Sequence, residues 1–317
     1  MKDQAVEPAN MGKFEDRTTT TKGEARASVA LTHAQTLWFN TGTLCNITCV
    51  NCYIESSPIN DRLVYLTVDD VTDYLNQITQ RDWPVREIGF TGGEPYMNPQ
   101  MNAMTRAALE AGYEVLILTN AMRPMMRKSV QAGIEALVKE FGDKLTFRVS
   151  LDHHTQVHHD GMRGEGAYDK TLEGMDWLAS IGARMAVAGR MLWHDDEAAE
   201  RAGFAALFTK RGYAIDAMDP ATCVLFPEMD ESVEVPEITT ACWDILGKSP
   251  DDVMCSSSRM VVKRRGATKP VVLACTLLPY DPEFEMGETL QEAEANVYLN
   301  HAHCAKFCVL GGASCSA

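Results

Sequence analysis

The chain has 317 residues, of which 45% are hydrophobic and 23% are charged, a composition typical of a packed soluble protein. Its net charge of −15 weighs against a protein that binds nucleic acid through the phosphates, so a nucleic-acid partner is not expected. No apolar run approaches the ~20 residues needed to span a bilayer, and the N-terminal part lacks the apolar stretch of a signal peptide, which predicts a cytoplasmic protein with no membrane partner.

The predicted elements alternate between short β-like runs and amphipathic helical stretches. Residues 1–35 are polar and predict a loose or weakly docked tail. The first helical stretch has Thr67 as its predicted N-cap, and Val71, Leu75 and Ile78 follow at helical spacing. The predicted strands are 36–42, 86–92, 114–120, 144–152, 184–192 and 213–219, and the later helices end near Gly112 or span 168–181 and 197–210.

This regular alternation predicts an α/β fold in which parallel strands are joined by helical crossovers. The pattern is compatible with a doubly wound sheet and with a full or partial (β/α) barrel. In both arrangements, ligands bind at the carboxyl ends of the strands. Short polar or glycine-rich motifs follow the first four strands and would face one mouth: TGTLCN, TGGEP, TN and SLD.

The pattern changes after about residue 221. A segment rich in proline and acidic residues leads into a cysteine-rich end with two β-like runs, 261–266 and 269–275. We therefore predict one domain over 36–221 and a second, small domain over 222–317.

The ten cysteines are unevenly distributed. In a reducing compartment, grouped cysteines indicate metal or cluster ligation more than disulfides. Cys223 and Cys242 suit the alternative of small buried hydrophobic side chains, although both are also candidate ligands. The grouped cysteines are Cys45, Cys49 and Cys52 near the start, and Cys255, Cys275, Cys304, Cys308 and Cys315 near the end.

The first group has the spacing Cys45-x3-Cys49-x2-Cys52 in a short loop after a strand. Three thiolates suit a cubane cluster in which one iron has no protein ligand, since clusters held entirely by the protein use four cysteines. Zinc and purely structural cysteines are the alternatives, although His33 and His153 offer no local finger spacing.

About forty residues after this loop, the chain reads Phe-Thr-Gly-Gly-Glu-Pro at 90–95. The two motifs together, in a series of β–α units, resemble the radical S-adenosylmethionine (radical SAM) superfamily. The resemblance implies a partial (β/α)6 TIM-type barrel, an oxygen-sensitive [4Fe–4S] cluster on the three cysteines, and SAM chelated by the open iron. It also implies that a stretch of four residues contacts the SAM amino group: Gly92, Gly93, Glu94 and Pro95.

The resemblance extends to the subgroup of MoaA-type cyclases and peptide maturases through Ser-Leu-Asp at 150–152 and His-His-Asp-Gly-Met-Arg-Gly at 158–164. It implies that Ser150 contacts the SAM ribose, that Asn120 lies near the ligand and that Arg190 pairs with the SAM carboxylate. A bidentate arginine suits that partner.

One position departs from the family pattern. The family usually has an aromatic residue just before the third cysteine, beside the adenine, whereas this chain has Asn51 there and Tyr53 after Cys52. We therefore expect adenine recognition to be altered, with Tyr53 as the nearby aromatic side chain.

Four histidines, His153, His154, His158 and His159, lie between the fourth strand and the next helix. Their number invites a metal site, and a polar loop facing the substrate or a structural role are the alternatives.

The cysteine-rich end resembles the SPASM and twitch extensions, which carry auxiliary [4Fe–4S] clusters. The resemblance implies a β-hairpin between Cys255 and Cys275 and one cluster, held by these two and by two of Cys304, Cys308 and Cys315. A structural zinc on the same thiolates is the alternative.

The resemblance implies an enzyme that receives one electron from a reductant such as flavodoxin or ferredoxin. It then cleaves SAM to a 5′-deoxyadenosyl radical that abstracts hydrogen from a small-molecule substrate. A peptide-modifying maturase of the SPASM or twitch type is the alternative, and a non-catalytic iron–sulfur or zinc protein is a third possibility.

Overall fold

A computed structural model describes residues 12–193, 196–227 and 234–311. The strands, in chain order, are β1 (Ser28–Val29), β2 (Thr36–Asn40), β3 (Glu87–Thr91), β4 (Glu114–Thr119), β5 (Leu145–Ser150), β6 (Arg184–Met191), β7 (Cys223–Pro227), β8 (Ser258–Val262), β9 (Val271–Leu273) and β10 (Val297–Tyr298). The helices are α1 (Val68–Gln80), α2 (Met101–Glu110), α3 (Lys128–Phe141), α4 (Gln156–Arg163), α5 (Ala167–Ser180), α6 (Glu197–Arg211) and α7 (Cys242–Leu246).

Eight strands form one sheet in the order β7-β6-β5-β4-β3-β2-β8-β9. The strands from β2 to β7 are all parallel and lie side by side in chain order, with helical crossovers between them. A doubly wound sheet would reverse its strand order at a switch point, and this series does not. The partial (β/α)6 barrel is therefore confirmed.

The first β–α unit follows from its sequence. All five residues of β2 are buried, and the ring of Trp38 packs against Gly89 of the neighbouring strand, where an added Cβ would lie 2.3 Å from the indole. Helix α1 begins at the predicted N-cap: Thr67 and Asp70 form a capping box. The predicted apolar stripe of this helix is buried against the sheet.

The prediction of a sixth strand over 213–219 was wrong. Tyr213, Ile215 and Ala217 are buried in alternation, as in a strand, but they pack into the core without pairing in the sheet. The strand that pairs with β6 is Cys223–Pro227. The alternation of apolar and polar residues correctly indicated that one side of this segment is buried. It does not indicate which segment forms hydrogen bonds with the sheet. The sixth barrel strand thus lies beyond residue 221, the predicted end of the barrel.

Residues 12–35 do not form the loose tail that was expected, and residues 1–11 lie outside the described part. β1 pairs antiparallel with β10. The Arg26 guanidinium, with no exposed side-chain surface, makes a 2.6 Å ion pair with Glu237. Despite its polar composition, this segment is therefore attached to the rest of the protein by a buried ion pair and a strand pairing.

The cysteine-rich region joins the barrel through its predicted hairpin. β8 and β9 pair antiparallel, and β8 also pairs in parallel with β2. Beyond the hairpin, a second apolar core forms around Val253, Leu277 and Phe307. Within the described residues, no helix has both the length and the hydropathy needed to cross a membrane.

Candidate active site

One pocket opens at the carboxyl ends of the barrel strands and collects most of the predicted site residues. The predicted residues that line it are Cys45, Cys49, Cys52, Tyr53, Gly92, Gly93, Asn120, Ser150 and Arg190. Glu94 and Pro95 are buried beside this pocket and are not among its lining residues.

The loop that carries the three cysteines is held from both sides. The Cys45 amide donates to the Ser57 carbonyl at 3.0 Å, and the Thr43 amide donates to the Leu63 carbonyl at 3.0 Å. Asn51 has φ of 55°, a left-handed conformation that asparagine adopts more readily than an aromatic residue. The backbone thus supplies a physical reason for the departure from the family pattern at this position.

The donor set fits an iron–sulfur cluster. The three cysteines are free thiols, and burial, together with the nearby charges of Glu94, Cys49 and Cys52, raises the pKa of Cys45 to about 12. Three adjacent thiolates in a buried pocket therefore need a cationic group to offset their charge. Thiolate sulfur favours iron–sulfur clusters or zinc. No other described cysteine lines this pocket, as expected for a cubane with one open iron.

The two glycines of the Gly-Gly-Glu-Pro stretch pack against the cysteine loop. Gly92 has φ of +146°, and an added Cβ there would lie 2.6 Å from the Gly42 carbonyl oxygen. At Gly93, an added Cβ would lie 2.2 Å from the Leu44 carbonyl oxygen. Glycine is required at both positions because the backbone of this stretch lies directly against the backbone of the cysteine loop. This contact within the protein is a reason for the two glycines in addition to any contact with a ligand.

The Glu94 carboxylate is engaged inside the protein. It accepts hydrogen bonds from the Asn120 amide at 2.8 Å, the Thr119 hydroxyl at 2.8 Å and the Tyr96 amide at 3.2 Å. Burial raises the pKa of Glu94 to about 7, and these hydrogen bonds oppose that rise. Its predicted role as the acceptor for the SAM ammonium remains a prediction, whereas its visible role is to join the ends of β3 and β4.

Asn120 links this network to the cysteines. Its amide nitrogen lies 3.0 Å from the Asn46 side-chain oxygen and 3.8 Å from the Cys45 sulfur. Its side-chain oxygen accepts from the Met122 amide at 3.0 Å. Asn120 is therefore held in a fixed orientation at the rim of the cysteine site.

A charged group that sequence reasoning did not assign to the site lines the same pocket as the cysteines. Arg163 holds the buried Asp152 through two hydrogen bonds, of 2.7 and 2.9 Å. Arg190 contacts the same carboxylate at 3.3 Å. Burial alone would raise the pKa of Asp152, but the Arg163 guanidinium holds it below its ordinary value. Two guanidinium groups and one carboxylate leave this wall of the pocket with net positive charge.

The C-terminal region completes the pocket with apolar surface. Phe226 at the end of β7 and Phe307 stack with their ring centroids 5.8 Å apart, and both line the pocket with Leu277. Sequence reasoning missed these residues because they lie outside every recognised motif. An apolar wall excludes water, which strengthens the electrostatic interactions inside a site.

The histidine cluster is organised around a buried carboxylate. His153, His154 and Glu200 place one ligand atom each within 4.8 Å of one another. However, the Thr155 amide donates to His153 Nδ1 at 2.9 Å, so a neutral ring has its proton on Nε2, which faces Glu200 at 2.7 Å. A histidine that binds a metal normally donates its second N–H, and here that nitrogen is an acceptor. This geometry favours a histidine–glutamate interaction over a metal site.

The other two histidines also take structural positions. His159 accepts from the Asp152 amide at 3.2 Å, and burial lowers its pKa to about 4, so it is neutral and holds Asp152 in place. His158 packs against Trp193, with ring centroids 4.7 Å apart.

The C-terminal cysteines also come together. Cys255, Cys304 and Cys308 belong to one buried apolar cluster, and the half-buried Cys275 packs against it. The charges of Cys275 and Cys255 act on Cys304. Burial raises the pKa of Cys255 to about 11. Cys315 lies outside the described residues. Four thiols in one apolar core fit a second cluster or a zinc ion.

Comparison with known proteins agrees with the resemblance to the radical SAM superfamily. A family model described as the radical SAM superfamily matches residues 39–205. The chain is similar to the subtilosin biosynthesis protein AlbA of Bacillus subtilis, at 28% identity over 162 residues, which cover 50% of this chain and 34% of AlbA. It is also similar to the AdoMet-dependent heme synthase of Methanosarcina barkeri, at 29% identity over 159 residues, which cover 47% of this chain and 41% of the synthase. These matches span less than half of either relative.

Solved structures share the fold. Streptococcus suis SuiB bound to S-adenosylmethionine gives a TM-score of 0.58 at 11% identity, covering 81% of this chain and 63% of SuiB. The enzyme anSMEcpe with bound AdoMet gives 0.59 at 12% identity, covering 86% of this chain and 83% of that one. The cysteine loop, the glycine pair and the parallel strands that hold them lie within or beside the matched family region, and the chain belongs to the radical SAM superfamily.

Proposed function

We propose that this chain is an enzyme that cleaves S-adenosylmethionine reductively and uses the product to abstract hydrogen from a substrate in the barrel pocket. The observation that carries the proposal is the meeting of Cys45, Cys49 and Cys52 with Gly92, Gly93 and Asn120 in one pocket. When bound, the cluster and SAM supply a 5′-deoxyadenosyl radical, and an external one-electron reductant such as flavodoxin or ferredoxin supplies the electron.

The chain itself would hold the cluster, orient the bound molecules and shield the reacting groups from water. The three thiols are the ligands for the cluster, and the backbone around Gly93 fixes their loop. Arg163 and Arg190 favour an anionic group such as a carboxylate on their wall. Leu277 and the apolar rings beside it keep water from the reacting groups.

The test is formation of 5′-deoxyadenosine by anaerobically reconstituted, dithionite-reduced protein with SAM, measured by mass spectrometry. The Cys45/Cys49/Cys52→Ala variant should form none. Cys223→Ala is a matched control, because Cys223 is buried in the barrel core away from the pocket, and this variant should keep the activity. Equal product from wild type and the triple variant would overturn the proposal.

The first candidate for the substrate is a small molecule. The name of one relative, the AdoMet-dependent heme synthase, indicates a substrate of that class. A peptide is the second candidate, favoured by two observations. AlbA is named for the biosynthesis of a bacteriocin, and SuiB has been solved with its precursor peptide. Both classes fit a pocket with a cationic wall and apolar rings.

The two classes can be separated with cell extract. Extract that stimulates 5′-deoxyadenosine formation is split by a size filter, and each fraction is treated with protease. Stimulation by the small, protease-resistant fraction supports a small molecule. Stimulation that protease abolishes supports a peptide and overturns the first candidate.

The four C-terminal thiols are proposed to hold one auxiliary [4Fe–4S] cluster. Cys255, Cys304 and Cys308 lie in one buried core and Cys275 packs against it, which supports this ligand set. Iron, sulfide and zinc are measured in the Cys45/Cys49/Cys52→Ala variant, which retains only these thiols as a group. About four irons per chain supports the cluster, whereas one zinc and no iron overturns it.

A further inference from the structure

Arg259 is a fully buried cation in the C-terminal region. It lies on β8, four residues after Cys255, and its side chain is 1% exposed. Its guanidinium donates to four backbone carbonyls: Ala293 at 2.9 Å, Ser258 at 2.8 Å, Cys255 at 2.5 Å and Ala295 at 3.5 Å. These hydrogen bonds satisfy its donors, but carbonyl groups do not neutralise its charge.

Two other arginines with little or no exposed side-chain surface have carboxylate partners. Arg26 pairs with Glu237, and Arg163 pairs with Asp152. Within residues 12–193, 196–227 and 234–311, Arg259 makes no ion pair with a carboxylate. An isolated buried charge destabilises a fold unless a charge of opposite sign lies nearby, so an anion is expected beside Arg259.

The ionisable groups near Arg259 are thiols. Burial lowers the pKa of this guanidinium to about 10, and the charges of Cys255 and Cys275 oppose that fall. Four thiolates carry four negative charges, and the oxidised cubane core offsets two of them, so a bound cluster is a net anion. Reduction by one electron makes it more negative.

We propose that Arg259 is the electrostatic partner of the auxiliary cluster, and that its positive charge raises the reduction potential of that cluster. The proposal rests on the auxiliary cluster proposed above. A cation stabilises the reduced, more negative form more than the oxidised form, because the attraction grows with the charge of the cluster. The low dielectric of this core strengthens the effect.

The test is a redox titration monitored by electron paramagnetic resonance in holoprotein with both clusters, using dithionite as the one-electron reductant. Arg259→Gln removes the charge and keeps donors for the carbonyls, while Arg259→Lys keeps the charge. We expect Arg259→Gln to lower the equilibrium constant for reduction of the auxiliary cluster at least about tenfold, which is about 59 mV for one electron. The lysine variant should stay closer to wild type than the glutamine variant.

Two internal controls accompany the variants. The potential of the cluster on Cys45, Cys49 and Cys52 should not change. Arg265→Gln removes a charge from the same hairpin, but this side chain is 71% exposed and pairs with Asp61, so solvent should screen its effect. A general loss of positive charge would shift both arginine variants equally and would overturn the proposal.

Every outcome decides the proposal. An unchanged auxiliary potential in Arg259→Gln overturns it. If that variant fails to load the second cluster while Arg259→Lys loads it, charge is the requirement and the proposal stands. If neither loads, the guanidinium acts through its carbonyl contacts, and the proposal is wrong.

Failure of the proposed function gives different results. Wild type that binds zinc or no metal on the C-terminal thiols removes the auxiliary cluster, and this inference with it, before any variant is compared. Absence of 5′-deoxyadenosine concerns the first cluster and leaves the potential of the second one measurable.

Discussion

Replacing Gly93 by alanine tests whether the glycine pair holds the cysteine loop. An added Cβ would lie 2.2 Å from the Leu44 carbonyl oxygen, and such contacts are essentially never shorter than 3.0 Å, so the two backbones must separate by 3.0 − 2.2 = 0.8 Å. The hydrogen bonds from Gly93 N to Gly42 O and from Glu94 N to Leu44 O measure 2.8 and 3.1 Å. The same separation lengthens them beyond hydrogen-bonding distance.

Each lost hydrogen bond leaves buried groups unsatisfied at a cost of about 1–3 kcal/mol, so loss of these two predicts that Gly93→Ala lowers the free energy of unfolding by about 2–6 kcal/mol. The cysteine loop begins one residue after Leu44, so iron bound by the first cluster should fall as well. Denaturant unfolding and iron analysis measure the two effects. Gly142→Ala is the control, because an added Cβ there has no atom within 4 Å and its change should stay within about 0.5 kcal/mol. Wild-type stability and iron content in Gly93→Ala would refute the reasoning.

Three further predictions concern groups outside the cysteine loop. The pKa of His159 is lowered from 6.5 to about 4, so its stabilising contribution is present above pH 6.5 and is lost as the pH falls. Between pH 7 and pH 5, the free energy of unfolding should therefore fall by about 2 kcal/mol more in the wild type than in His159→Gln. Arg26→Met leaves Glu237 buried without its partner and should cost about 3–5 kcal/mol, measured by denaturant unfolding, with faster proteolysis of the N-terminal segment. Gly203→Ala places a Cβ 2.3 Å from the His154 ring and should cost about 1–3 kcal/mol in thermal unfolding.

Controls for these predictions come from the same chain. Lys13 and Glu234 form an ion pair in which Glu234 is 85% exposed, so Lys13→Ala should change stability by less than about 1 kcal/mol. Equal losses in Lys13→Ala and Arg26→Met would contradict the burial argument. A parallel pH dependence in wild type and His159→Gln would exclude His159 as the titrating group.

The sequence predicted the parts of the site that depend on local order. Cys45, Cys49 and Cys52 share one loop, so their proximity follows from spacing alone. Gly92 and Asn120 each follow a strand, and the carboxyl ends of parallel strands meet at one edge. The alternation of buried runs and amphipathic helices predicted a parallel α/β sheet, and the resemblance of the two motifs to the radical SAM superfamily predicted the partial barrel.

The rest depends on tertiary contacts. Arg163 joins the site only because α4 returns its last residue to Asp152 at the end of β5, a contact that no periodicity encodes. Phe307 reaches the pocket from a region far along the chain. The hydrogen bond from the Asn120 amide to the Glu94 carboxylate was not predicted either, because it depends on how the ends of β3 and β4 meet in the fold.

The pairing of β8 with β2 also determines which side of the barrel can meet another chain. Without β8, the row of amide and carbonyl groups along Thr36–Asn40 would be an open edge, which is a template for association between molecules. A protein truncated after Pro227 would expose that edge directly beneath the cysteine loop. The opposite edge, β7, ends in that same proline, which has no N–H to offer to a neighbouring strand. The hairpin that joins the cysteine-rich region to the barrel therefore also protects the barrel from aggregation.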